Sequence, residues 1–241
     1  MRVGVISFVI STMNKPIALI TGAGRGIGRA TAIELARHGY QLLLTARTKS
    51  ELAETAKLAG GATILAGDVT SPKHAMRLIS RAIALGGRLE VLVNNAGYAP
   101  AYSIEKMSLE EWDKILATNL SAAFYLCKFA WPIFVKQKGG VIVNISSVAS
   151  RDPFPGLGAY GAAKAGLNIF GLDLARQGKT HGIRVYTLAL GAVETGMLRK
   201  LISPKQLSTK HTLRPADVAS EIYACVADAN RASGQLIDLE K

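Results

Sequence analysis

Along this chain, short stretches of nearly unbroken apolar residues alternate with longer segments whose apolar residues return every three or four positions. The short runs are residues 17–21, 41–46, 63–66, 91–94, 141–145, 184–190 and 235–239. They lack strict apolar–polar alternation, which is the pattern of strands covered on both faces. The intervening segments are of helix length: residues 26–38 ending at Gly39, 49–59, 72–85, 109–135 with an interruption at Pro132, 159–177 and 216–227. Strand and helix in repeated alternation predict an α/β protein. The expected core is a doubly wound parallel sheet of about seven strands in a three-layer α/β/α arrangement. No Pro/Gly/Ser linker and no internal repeat divides the chain, so residues 13–241 are expected to form one domain.

Composition narrows the class. With 241 residues, 49% hydrophobic and 19% charged, the chain buries a large core, and neither a disulfide-stapled miniprotein nor a disordered tail fits. Cys127 and Cys225 are far apart and form no CxxC pair, so they read as buried thiols in a reducing compartment. His38, His74, His181 and His211 show no ligand spacing, and no metal is expected. The net charge of +12 admits nucleic acid, an anionic surface or an anionic small molecule as partner. The basic residues are dispersed without a block of like charge, which disfavours nucleic acid. The apolar run at residues 3–10, after Arg2, is too short to span a membrane and has no A-x-A-like cleavage site. Residues 1–12 are therefore expected to be an extension ahead of Met13, and the protein to be cytoplasmic.

In an open parallel sheet, ligands collect at the carboxyl ends of the strands. After the first run comes Gly22-Ala-Gly24-Arg25-Gly26-Ile27-Gly28, then a helical segment. Strand, glycine turn and helix N-terminus together set backbone N–H groups and the positive helix end against a pyrophosphate. A glycine turn without a ligand is the plainer alternative. The second run ends Thr45-Ala46-Arg47-Thr48, with no acid at the strand end to hold a ribose 2′-hydroxyl. Arg47 there and Arg25 in the loop would instead clasp a 2′-phosphate, unless both are simply solvated. The expectation is NADP(H) over NAD(H). Asp68, after the third run, suits either an adenine contact or a turn ahead of a helix entered by Ser71-Pro72.

The fourth run ends in Asn94-Asn95-Ala96-Gly97 and the fifth in Ser146-Ser147; Tyr160 and Lys164 follow at the start of a helical segment. Tyr-x-x-x-Lys alone is a poor signal, since Tyr102 and Lys106 match it too. Only Tyr160 follows a strand ending in serines. On a helix, residues i and i+4 share a face, which brings Lys164 near the phenol. A free tyrosine titrates near ~10. An ammonium ~4 Å away at an effective dielectric of ~20 contributes about 4 kcal/mol, on the order of three pKa units toward phenolate. The pair is thus expected to make a general acid–base, with Ser147 hydrogen-bonding the substrate oxygen and a nicotinamide exchanging the hydride.

The glycine loop, Asn94 to Gly97, Asn119, Ser147 and Tyr160-x-x-x-Lys164 resemble, in order and spacing, the short-chain dehydrogenase/reductase family, over residues 15 to 239. The resemblance implies a Rossmann-type fold, catalytic Asn119, Ser147, Tyr160 and Lys164, and a water held with the help of Asn119 as a proton relay from Lys164. It implies a cofactor set of Gly22, Gly24, Arg25, Gly26, Ile27, Gly28, Arg47, Asp68, Val69, Asn94, Ala96, Gly97, Tyr160, Lys164, Gly191, Val193 and Thr195. Two positions depart from the family pattern: Leu190 precedes Gly191 where Pro is usual, and the C-terminus lacks the common Asp-Gly-Gly. The first loosens the expected grip on the carboxamide, and the second leaves a homodimer as open as a homotetramer.

Residues 195–215 would form a substrate lid, with Arg199, Lys200, Lys205, Lys210 and Arg214 and no acid after Thr195. A basic lid suits an anionic substrate or a carrier-bound thioester, or is a solvated loop. The stretch from Glu110 to Ser121 resembles β-ketoacyl-carrier-protein reductases, whose carrier-docking basic residues align with Lys138, which keeps the charge, and His181, which does not. Reduction of small ketones, aldehydes or pterins fits the same residues, as does a non-catalytic NADP-binding sensor or scaffold. No membrane partner is expected.

Overall fold

A computed structural model describes residues 15–241. The expected extension at residues 1–12, with its apolar run and Met13, lies outside the described residues.

The seven apolar runs all become strands: β1 Ile17–Thr21, β2 Gln41–Thr45, β3 Thr63–Ile64, β4 Val91–Asn94, β5 Gly140–Ser147, β6 Ile183–Leu190 and β7 Leu236–Leu239. They pair in parallel in the order β3-β2-β1-β4-β5-β6-β7. The helices are α1 Gly26–Arg37, α2 Lys49–Leu58, α3 Pro72–Gly86, α4 Leu109–Leu116, α5 Ala122–Gln137, α6 Gly158–Gly178, α7 Gly196–Leu201 and α8 Pro215–Ala227.

The period-2 geometry of β1 explains why its sequence is apolar throughout. Ala18 and Ile20 face a core shared with Ala32 and Leu35 of α1, Leu52 of α2, and Val218 and Ile222 of α8. Ile17 and Leu19 face a second core with Ala75, Leu78 and Ala82 of α3, Leu126 and Phe134 of α5, and Leu174 of α6. A strand buried on both sides has no solvent face to mark with polar residues.

Three boundaries differ from the sequence expectation. β3 is shorter than residues 63–66, although Leu65 still donates to Leu44 of β2 and Gly67 to Ala46 just past its end. Pro132 does not interrupt its helix, which runs to Gln137. Pro132 and Lys128, whose carbonyl loses its i+4 donor, both lie on the exposed face, where water can take the place of the missing bond. The real break comes earlier: residues Ala117–Ser121 form a π-helical turn, with the Ala122 N–H donating to the Ala117 carbonyl five residues back. Such single wide turns commonly serve a site, and this one carries Asn119.

Chain order reverses between β1 and β4, so the crevice at their carboxyl ends is where this topology collects a ligand.

Candidate active site

The loop after β1 is shaped by β4. The Thr21 hydroxyl accepts from the backbone N–H groups of Asn95 and Ala96, both at 3.0 Å, and Asn95 Nδ2 donates to the Thr21 carbonyl at 2.8 Å. Gly22 (φ +63°) and Gly26 (φ +55°) turn the chain through left-handed backbone. A Cβ on Gly28 would lie 2.3 Å from the Gly22 carbonyl oxygen, so only glycine lets α1 start this close to the strand. Arg25 occupies the N-cap of α1 without a side-chain cap bond, and the first turn holds no acid. Open N–H donors and the positive helix end therefore face the crevice. This cradle fits a dinucleotide pyrophosphate, with Gly24, Gly26, Ile27 and Gly28 as its backbone.

The corner after β2 is more crowded than the sequence suggested. Arg47 is exposed. Arg25 is not free: its Nη1 lies 3.3 Å from Glu51 Oε1, in the first turn of α2. Arg29 is fully engaged, donating to the Gly24 carbonyl at 3.1 and 2.6 Å and to Glu54 at 2.9 and 2.8 Å. Asp68 is exposed and Val69 buried. Partial burial pushes the Asp68 carboxyl up, but hydrogen bonds from Thr70 and the positive field of Arg47 hold it below its ordinary value. The Ser71 hydroxyl caps α3 by accepting from the His74 N–H at 3.4 Å, as its sequence position predicted.

β5 delivers the hydroxyls. Ser147 is its last residue and accepts from the Ala149 N–H at 3.2 Å. Tyr160 stands in the first turn of α6, and Lys164, one turn further, is 3% exposed. Lys164 Nζ donates to the Ile145 carbonyl at 2.7 Å and lies 5.5 Å from the centre of the Tyr160 ring. Two devices seat α6 there. A Cβ on Gly161 would lie 2.4 Å from the Ala149 carbonyl oxygen. Asn168 accepts from the Ser146 hydroxyl at 2.5 Å and donates to Ser150 at 2.9 Å. Tyr102 and Lys106, the competing pair, lie in an irregular segment before α4.

The protonation picture differs from the sequence expectation. Burial pushes the Tyr160 phenol up to about 12, against an opposing hydrogen bond with Ser147. Burial also pulls Lys164 down to about 7. Both groups leave water together, and burial disfavours the charged form of each, phenolate and ammonium alike. Burial thus keeps the Tyr160 phenol protonated near pH 7.

The π-helical turn places Asn119 2% exposed, with Nδ2 donating to the carbonyls of Tyr98 (2.7 Å) and Ile115 (2.9 Å) and Oδ1 accepting from the Tyr98 N–H (3.2 Å). Asn119, Lys164, Thr21 and Asn94 line an internal cavity of about 10 Å³, the size of one water. The Asn94 side chain bonds within the sheet. Its Nδ2 donates to Asn144 Oδ1 at 2.9 Å, tying β4 to β5, while Asn94 Oδ1 and Asn144 Nδ2 have no partner among the described residues. Asn95, beside it, is the residue that pins the glycine loop.

β6 leads to the lid. Gly191 donates to the Leu239 carbonyl at 2.9 Å, Val193 bridges to Leu213, and Thr195 caps α7. A Cβ on Gly26 would meet the Thr195 methyl at 3.3 Å, and one on Gly97 would meet Met197 Cε at 3.7 Å, so this segment closes over the glycine loop and Ala96-Gly97. Two of its five cations are already paired, Arg199 with Glu194 and Arg214 with Asp217. Both acids lie just outside residues 195–215. Lys200, Lys205 and Lys210 are exposed. Lys138 and His181 precede β5 and β6, at the end of the sheet opposite the hydroxyls. At ~3.3 Å per residue, that is about 26 Å away along β5.

Among the described residues no cluster of His, Cys, Asp and Glu could hold a metal ion, and no helix is long and apolar enough to cross a membrane.

The short chain dehydrogenase family profile matches residues 16–206. The 3-oxoacyl-[acyl-carrier-protein] reductase of Synechocystis sp. PCC 6803 is 32% identical, over 96% of this chain and 98% of its own. The enzyme FabG of the same name from Escherichia coli K12 is 39% identical over 77% of this chain and 76% of its own. An uncharacterized oxidoreductase of Thermotoga maritima is 33% identical over 93% and 95%. A crystal structure from Sinorhizobium meliloti 1021, provisionally assigned as a short-chain alcohol dehydrogenase, superposes with a TM-score of 0.85 at 32% identity, over 92% of this chain and 94% of that one.

Proposed function

The chain belongs to the short-chain dehydrogenase family and is an oxidoreductase of it; from that premise we propose that it reduces a carbonyl substrate with NADPH, Tyr160 being the general acid. The observation that carries this reading is the meeting of Ser147, Tyr160 and Lys164 at the carboxyl end of β5, beside the glycine cradle at the sheet's switch point.

The cradle from Gly22 to Gly28 would hold the dinucleotide pyrophosphate, and Arg47 with Arg25 its 2′-phosphate. When bound, the dinucleotide supplies the hydride. Tyr160, kept protonated by burial, gives its O–H proton to the oxygen that gains charge as the carbonyl carbon accepts that hydride, leaving an alcohol and a phenolate. Ser147 donates a hydrogen bond to the same oxygen as its charge develops. Lys164, titrating near neutrality, is suited to return the proton through the cavity it shares with Asn119.

For the substrate we favour a 3-oxoacyl thioester. Exposed Phe154 and Met197, on the segments after β5 and β6, offer apolar contact to an acyl chain, and Lys200, Lys205 and Lys210 suit an anionic carrier. The names of the Synechocystis and Escherichia coli relatives point the same way. For assembly we favour a homo-oligomer through α5 and α6, where Phe124 (45% exposed) and Ile169 (69%) stand beside Leu120 and Phe170 on one apolar face. A cytoplasmic location agrees with two buried free thiols.

Replacing Tyr160 by Phe tests the chemistry. Turnover of acetoacetyl thioesters and of simple ketones should fall by about 10²–10⁴-fold, with NADPH affinity unchanged. Retained turnover overturns the role of Tyr160. Equal rates on thioesters and uncharged ketones at low salt overturn the thioester reading.

A further inference from the structure

The acid missing from the end of β2 is supplied by the next helix. A Cβ on Gly24 would lie 3.0 Å from both Glu51 Cβ and Glu51 Oε2, so this side chain rests directly on the glycine loop. Its other oxygen meets Arg25 Nη1 at 3.3 Å. One turn along, Glu54 makes a similar link to Arg29, yet the two links differ in kind. Arg29 is only 24% exposed and is also fastened to the Gly24 carbonyl, which makes it part of the loop's framework. The Arg25 side chain is 67% exposed and has one contact of ordinary length with Glu51. It is the exchangeable pair of the two.

We propose that Glu51 is a specificity-determining residue that competes with the dinucleotide 2′-phosphate for Arg25, so that its carboxylate holds down the chain's preference for NADP(H) over NAD(H). This rests on the NADP(H) reading above. A phosphate monoester is gripped best by two guanidinium forks. Arg47 has no ion-pair partner among the described residues, whereas Arg25 must first release Glu51. A dinucleotide without the 2′-phosphate makes no such demand and gains nothing from the exchange. The carboxylate also repels a phosphate directly, in a corner that already holds Glu54 and Asp68.

Glu51→Gln keeps the side chain's size and removes its charge, and Glu54→Gln, next door, removes an equal charge without freeing Arg25. Dissociation constants for NADPH, NADH, 2′,5′-ADP and 5′-AMP are measured on the full-length protein by calorimetry, at low and at physiological salt. Glu51→Gln should bind NADPH and 2′,5′-ADP about three- to fivefold more tightly, the range of an exposed ion pair. NADH and 5′-AMP should change by less than twofold, and the gain should shrink with salt. Glu54→Gln should not reproduce the selectivity. Weaker 2′,5′-ADP binding by Glu51→Gln would make Glu51 a support for Arg25 and overturn the proposal, as would an equal gain for all four ligands or for both variants. If the wild type binds NADPH and NADH alike, the NADP(H) reading falls. A selective gain for 2′,5′-ADP in Glu51→Gln would still establish the competition.

Discussion

Replacing Lys164 by Met should make the protein more stable at neutral pH and erase a pH dependence that the wild type carries. Lys164 is 3% exposed and titrates at about 7 in the folded chain, against 10.5 for an ordinary lysine. The folded pKa lies below the unfolded one, so between these values the unfolded chain binds more protons and stability falls as the pH is lowered. Each unit of pH costs about 1.4 kcal/mol, so from pH 10 to pH 7 wild type should lose roughly 4 kcal/mol relative to Lys164→Met. Below pH 7 lysine is charged in both states and the difference should level off. Methionine cannot donate to the Ile145 carbonyl, which Lys164 Nζ reaches at 2.7 Å. Losing that bond costs about 1–3 kcal/mol at every pH. The offset shifts the curve but does not bend it. Urea unfolding of both proteins from pH 6 to pH 10 reads the difference directly, because the unfolded tyrosines, which begin to ionise toward pH 10, are the same in both and cancel. Curves parallel to within about 1 kcal/mol would show that Lys164 keeps an ordinary pKa, and the account of its burial would be wrong.

Two further substitutions probe the scaffold. Gly28→Ala should lower stability by about 2–3 kcal/mol in thermal unfolding, because its methyl would meet the Gly22 carbonyl oxygen at 2.3 Å. Dinucleotide binding should weaken with it. Ile169→Asp, on the face shared by α5 and α6, should shift sedimentation from oligomer to monomer while circular dichroism stays unchanged; an unaltered sedimentation coefficient removes that face from the assembly.

The sheet was readable because strands buried twice over leave long apolar runs, and the cradle because a left-handed turn demands glycine. Tyr160 and Lys164 were readable as a pair, since helical spacing guarantees a shared face. Their protonation was not, because it depends on how much water α6 excludes once seated on β5. The place of Glu51 is hidden in the sequence for a related reason. The end of β2 carries no acid, the one that touches the loop sits in the first turn of α2, and nothing in its local sequence says that α2 leans on Gly24. Asn94 and Asn95 are adjacent and alike in type, yet strand alternation sends the first into the sheet and leaves the second to hold the loop. The lid's basic excess is smaller in the structure because Glu194 and Asp217, just outside residues 195–215, pair with Arg199 and Arg214. Of these, the i,i+3 pairing of Arg214 with Asp217 was open to a reading of helix spacing.

Because Asn95 clasps Thr21 and Gly22 across more than seventy residues of chain, the glycines proposed to cradle a nucleotide leave the ribosome without the contact that fastens them. A nascent chain that has delivered β1 through β3 owns the sequence of the cradle without its fastening. Nucleotide recognition should therefore arise late in synthesis, when β4 slots in beside β1, and truncations ending before residue 95 should be blind to the ligand however much helix they contain.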